Sequence, residues 1–140
     1  MGFLWIDSST NDETVYYTEA AQNCIRRFQV GGTVQTIAGT RGAAGGFNRG
    51  GIPAKTALLN GPTGIVGDGQ GNIYFCDSSN HRIRRMDKNG IITTVCGTGR
   101  ASAGPVPFVL GPNGSLPTAA VLDAPQTLRM DSNGNLLITA

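Results

Sequence analysis

His81 is the chain's one histidine. It stands among the side chains best able to do chemistry: Asp77, Asn80, His81 and Arg82, then, past Ile83, Arg84 and Arg85. An imidazole can ligate a metal or move a proton, and Asp77 with Asn80 has the look of an acid and its polar partner. Yet no second His, Cys or carboxylate stands at ligand spacing, and zinc takes several protein ligands. The same residues fit a turn. Asp77 and Asn80 are spaced to cap backbone N–H groups, and Arg82 or Arg84 can reach that turn as a charge-assisted partner. The reading for Asp77, Asn80, His81, Arg82 and Ile83 is therefore a structural motif, with no catalytic, metal or cofactor residue assigned. No cofactor is expected.

Four arginines pose the next chemical question. Arg26 and Arg27 recur as Arg84 and Arg85, and such a recurrence would serve an anion or RNA. Adjacent residues of a strand point to opposite faces, so one of each pair at most serves a given surface. Arg26 and Arg84 are the candidates. No aromatic residue is interleaved to stack bases, and the alternative is solvated charges and ion pairs between sheets. Gly67-Asp68-Gly69-Gln70-Gly71 imitates a phosphate loop, but it lacks the G-x-x-x-x-G-K-[ST] pattern and leads into a hairpin. Asn113-Gly114-Ser115 is a glycosylation triplet that matters only in a secreted chain. The odd number of cysteines, Cys24, Cys76 and Cys96, with no C-x-x-C, indicates neither a disulfide framework nor a zinc knuckle. Cys76 and Cys96 fall on alternate strands; with neighbouring strands about 4.8 Å apart, the two cannot bridge without strain. All three read as small buried hydrophobes.

The elements that hold these residues repeat. Ile83 minus Ile25 is 58, and at that offset residues 15–40 lie on residues 73–98 without a gap, with eight identities in 26 positions. They are Tyr16/Tyr74, Ile25/Ile83, Arg26/Arg84, Arg27/Arg85, Gly32/Gly90, Thr36/Thr94, Gly39/Gly97 and Thr40/Thr98. Residues 51–77 lie on residues 114–140 at an offset of 63. Within the complete copy, Asp68–Gly71, Asp77–Asn80 and Asp87–Gly90 are turns, the last carrying Asn-Gly. Between them lie strands at Thr63–Gly67, Asn72–Cys76, Arg82–Met86 and Ile91–Cys96. Strict alternation puts Ile73 and Phe75 on one face and Tyr74 and Cys76 on the other. It likewise sets Ile91, Thr93 and Val95 against Ile92, Thr94 and Cys96. A four-stranded meander with two apolar faces must be sandwiched between copies of itself, and radial stacking of such sheets is the β-propeller.

Asn-Ile-Tyr-Phe-Cys-Asp-Ser-Ser-Asn-His-Arg-Ile-Arg-Arg resembles the NHL repeat, a propeller-blade family, with Asp77, Asn80, His81, Arg82 and Ile83 on its core pattern. Gly50, Gly51, Pro53, Ala54, Ala57, Leu59 and Pro62 resemble an inter-blade connection of one subgroup, with a looser copy at Gly114, Pro117, Ala120, Leu122 and Pro125. Copy one departs from the pattern, with Glu19, Gln22, Asn23 and Cys24 in place of Asp, Asn, His and Arg. The expected organisation is copy one over 1–40, a Gly/Pro-rich connection over 41–62, the complete copy over 63–98, a second connection over 99–125, and half of copy three over 126–140. Propellers close with about four to eight blades. This all-β segment of about two and a half cannot close alone and needs further blades in cis.

Composition bounds the function. The chain has 140 residues with 21 Gly, 7 Pro and 14% charged residues, which suits short strands and turns. Its 39% hydrophobic content and net charge of +2 argue against disorder. The charge is uneven: residues 1–19 hold four acids and no base, and residues 20–100 hold ten bases against three acids, or +7. No apolar run approaches the ~20 residues of a membrane span. The start has no basic n-region and fails the myristoylation pattern at Ile6, and the last residues read as mid-strand, so a fragment is expected. The leading function is a non-catalytic interaction module that binds a protein, carbohydrate or small ligand through loops and the segments 41–62 and 99–125. The resemblance adds two alternatives, a propeller enzyme (a metal-assisted lyase or hydrolase) with its site in other blades, and an RNA-binding propeller. It also favours a secreted or extracellular setting.

Overall fold

The computed structural model describes residues 2–9, 11–101 and 119–140. The glycosylation triplet and the 114–117 part of the second connection lie outside them. The first sheet is an antiparallel meander of β1 (Leu4–Asp7), β2 (Thr14–Glu19), β3 (Cys24–Gln29) and β4 (Gln35–Ala38), paired in that order. β5 (Ile52–Pro53) precedes the second sheet, built from β6 (Pro62–Gly67), β7 (Ile73–Asp77), β8 (Arg82–Met86) and β9 (Ile91–Cys96). β10 (Thr127–Met130) and β11 (Leu136–Thr139) form the third sheet, a two-stranded antiparallel hairpin. The fold is all-β and propeller-like, and it is not closed.

Local chemistry explains the turns. Asp68 Oδ1 accepts the N–H groups of Gln70 and Asn72 at 2.8 and 3.2 Å, and its Oδ2 accepts the Asn72 amide at 2.6 Å. Asp131 repeats this with Asn133 and Asn135. A carboxylate that gathers the turn's N–H groups closes the hairpin without help from its neighbours. The glycine-rich stretch 67–71 is thus the β6–β7 hairpin.

The second sheet is sandwiched. On one face Ile73, Phe75, Met86 and Ile92 join Ile25, Ile37 and Ala38 of the first sheet in one core, capped by Ala54, Ala57 and Leu59 from the connection. On the other face Cys76, Ile83 and Cys96 pack with Leu122, Leu128 and Ile138. The inner strands come close enough to bond: the Gly64 N–H donates to Gln126 O at 2.9 Å, and a Cβ on Gly64 would lie 2.7 Å from Thr127 Cα. Only glycine fits there.

Two features depart from simple alternation. Ile83 pairs with Cys96, but Arg84 pairs with Thr94, so a bulge leaves Val95 unopposed. Ile92 and Cys96, expected on one face, lie in opposite cores, because the extra residue inverts the pleat beyond it. The first sheet repeats the bulge between Ile25 and Arg26. In addition, the connection lays β5 along the outer edge of β9, with Ile52 opposite Ile92 and Pro53 opposite Ile91. Pro suits an edge, where no ladder N–H is required of it.

Candidate functional site

The β7–β8 turn gathers the chemically able residues at one end of the second sheet. Asp77 ends β7 and is fully buried. Its Oδ1 accepts the Asn60 N–H at 2.8 Å, and its Oδ2 accepts Asn80 Nδ2 at 2.9 Å and Arg84 Nη1 at 3.2 Å. Burial pushes the Asp77 carboxyl above its ordinary value, against the opposing pull of Asn80, the Asn60 N–H and Arg84. Burial likewise lowers Arg84, against the attraction of Asp77. Asn80 also donates to Gly46 O at 2.8 Å, which ties the turn to the connection.

His81 takes a left-handed conformation, φ 53°, at the end of a 3₁₀ turn over Ser78–Asn80. Its Nδ1 accepts the Ala124 N–H at 3.0 Å, which fixes that nitrogen as an acceptor. Arg82 donates from Nη1 to Asn80 O and from Nη2 to Thr98 O, both at 3.1 Å. Its guanidinium lies 3.7 Å from the centre of the Phe47 ring, and that of Arg84 lies 4.9 Å from it. Ile83 between them is fully buried in the other core.

Copy one builds the same corner from other residues. Asn23, which aligns with His81, has φ 54°, and its Oδ1 accepts the Gly61 N–H at 2.8 Å. Gly61 aligns with Ala124, and both have positive φ. Glu19 stands for Asp77 and pairs with Arg26 at 3.4 Å and Arg41 at 2.8 Å. The second cation has changed places. Copy two has Arg82 and Gly99 where copy one has Cys24 and Arg41. A Cβ on Gly99 would run into the Arg82 guanidinium, so the corner has room for one of these arginines.

The arginine candidates need a correction. Arg84 has no exposed surface, and Arg26 is turned onto Glu19 with its side chain 21% exposed. Neither offers a free guanidinium to an anion or RNA, because both point from the third strand into the cleft between strands and connection where an acid of the same sheet waits. In copy one the exposed arginine is Arg27. Sequence reading missed Phe47, Asn60 and Arg41. Only Arg41 left a trace, as a charge where the repeat has glycine.

All three cysteines are free and buried, and burial pushes the Cys76 thiol up to about 12. Among the described residues no three His, Cys, Asp or Glu side chains are grouped to hold a metal. No described helix is long and apolar enough to cross a membrane.

Known proteins share both the sequence pattern and the fold. The family model described as the teneurin NHL domain matches residues 10–139. Teneurin-1 of Gallus gallus is 37% identical over 95 residues, or 65% of this chain, and the chain spans 3% of that relative's length. A structural genomics protein of unknown function from Bacteroides thetaiotaomicron superposes with a TM-score of 0.71 at 21% identity, covering 89% of this chain and 29% of that one. An auxiliary nutrient binding protein from the same organism gives 0.63 at 25% identity, covering 89% and 32%. Match length, repeat pattern and blade geometry agree, and the chain belongs to the teneurin NHL domain family.

Proposed function

We propose that the chain is part of a non-catalytic propeller module that binds an extracellular protein, carbohydrate or small ligand through its loops and connections. The observation that carries this is the inward commitment of the repeat's polar groups. Both Asp77 oxygens, the Asn80 amide and the His81 acceptor nitrogen are occupied by contacts within the fold. These side chains are structural in this reading, and recognition falls to residues that do not repeat. A fold relative named as a nutrient binding protein supports a binding role. The extracellular setting rests on the family alone.

The purified protein, screened against arrays of extracellular proteins and glycans, should bind a ligand saturably. Asp77→Ala should lower its melting temperature and reduce that binding only in proportion to unfolding. Stoichiometric metal together with turnover of a lyase or phosphoester substrate would overturn the reading. So would an Asp77→Ala protein that melts like wild type and has lost its ligand.

A further inference from the structure

A groove of about 390 Å³ opens between the first and second sheets, at the end opposite the Asp77 turn. Ile37, Ala54, Ile73 and Met86 lie along its floor, and Tyr16, Arg27, Lys55 and the Asp87–Gly90 hairpin form its walls. Arg27, Lys55 and Lys88 are exposed at its rim. Among the described residues no ion pair involves any of the three. The one carboxylate in its lining, Asp87, accepts the N–H groups of Asn89 at 2.8 Å and Ile91 at 3.0 Å on its Oδ1. The groove therefore has an apolar bottom and three cations against one carboxylate, a surplus of positive charge at its rim.

Two of these charges break the repeat. Lys88 aligns with Val30, and Lys55 aligns with Thr118. Arg27 does have a counterpart in Arg85, but Arg85 donates to Asn72 Oδ1 at 3.0 Å. The residue that aligns with Asn72 is Thr14, whose hydroxyl accepts from Gln29, and Arg27 has no such side-chain partner among the described residues. Residues that repeat build blades, whereas Lys55 and Lys88 depart from the repeat and Arg27 lacks the partner its counterpart has, so the cluster answers to something outside the fold.

We propose that this groove is a binding site for an acidic protein segment that inserts one bulky apolar side chain onto the floor and sets carboxylates against Arg27, Lys55 and Lys88. Charge complementarity selects an acidic partner and repels basic ones. The apolar floor selects a peptide over a polyanionic chain, which has no side chain to bury there. The volume suits one large residue with its neighbours. The inference rests on the interaction-module reading and gives it an address.

The test is fluorescence anisotropy with three labelled peptides, Glu-Glu-Leu-Glu-Glu, Glu-Glu-Gly-Glu-Glu and Lys-Lys-Leu-Lys-Lys. Heparin and single-stranded RNA serve as parallel ligands, on wild type and a Lys55→Glu/Lys88→Glu variant. Both lysines are exposed, and an unchanged melting temperature checks that the variant is folded. The leucine-containing acidic peptide should bind saturably, weaken with added salt, and lose about tenfold or more in affinity to the variant. The glycine version should bind less well and the basic one not at all. Failure of the acidic peptide to bind overturns the groove site, and so does binding of only heparin or RNA in a way the variant abolishes. Equal binding by the variant also overturns it, yet leaves the interaction module standing with its site elsewhere. Turnover by the protein overturns the module without bearing on the groove.

Discussion

The first and second sheets solve one problem at the same corner with opposite economies. Each must hold an acid and an arginine against the connection that follows or precedes it. The second buries the Asp77–Arg84 pair completely and surrounds it with amide and backbone donors. The first leaves Glu19 one-fifth exposed and gives it two arginines, one of them half in water. A buried pair has little net worth when intact but is costly to break from one side. A pair that keeps some contact with water costs less to break. The lesson is that identical placement in a repeat does not imply identical energetics, because burial decides what a charge is worth.

The comparison breaks most readily at Asp77. Asp77→Ala strands a buried guanidinium whose Nε and Nη2 have no hydrogen-bond partner among the described residues, and should cost about 3–5 kcal/mol in urea unfolding. A loss as small as that of an exposed pair would end the contrast. Next comes the residue that follows the 3₁₀ turn. His81→Val forces a β-branched side chain into the left-handed region and should cost about 1–3 kcal/mol. His81→Asn installs what copy one already uses at Asn23, and should stay within about 0.5 kcal/mol. If both substitutions cost the same, the two corners are not interchangeable. Glu19→Ala is expected to cost about 0.2–1 kcal/mol, and less in high salt.

The smallest effect has the sharpest sign. Burial raises Glu19, but its bonds to Arg41 and Arg26 outweigh this and hold it below the ordinary carboxylate value. Between its lowered and ordinary values the unfolded chain binds more protons, so Glu19's contribution is lost as pH falls. Asp77 is raised by burial. Between its ordinary and raised values the folded chain takes the proton first, so stability rises as pH falls. Urea midpoints at about pH 7 and about pH 4 should therefore move in opposite directions for the two sites. Glu19→Gln should remove an acid-induced loss, and Asp77→Asn an acid-induced gain. Equal signs would mean the corners differ less than their burial implies.

Much of this was legible before any coordinates. Val15–Thr40 against Ile73–Thr98 is a gapless match, and a repeat of strand-length apolar runs has few architectures open to it. The turns were equally plain, since Asp68, Asp87 and Asp131 carry their own hydrogen-bond partners within four residues. The bulges were not. Ile91–Cys96 alternates without interruption, and nothing local marks Val95 as surplus; only its pairing with β8 shows it. The exchange of Arg82 and Gly99 for Cys24 and Arg41 escaped for a similar reason. The paired positions lie far apart in sequence and meet only across the corner. The sequence offers Arg26 and Arg84 both as anion candidates and as ion-pair partners, with Arg84 in reach of the Asp77 turn; the structure takes the second option, because a carboxylate of the same sheet meets each guanidinium.

One feature gives the chain a direction. The side chains of Asn23 and His81 each accept an N–H from a later residue, 38 and 43 positions further on. In these two latches the receiver is made before the donor. During synthesis the segment each one holds emerges to find that side chain already in place, while Asp77 and Asn80 later reach back to fasten Asn60 and Gly46. Pulled from its C-terminal end, the chain should lose the His81 latch before the Asn23 latch, an order that single-molecule force measurements on proteins substituted at each position would check.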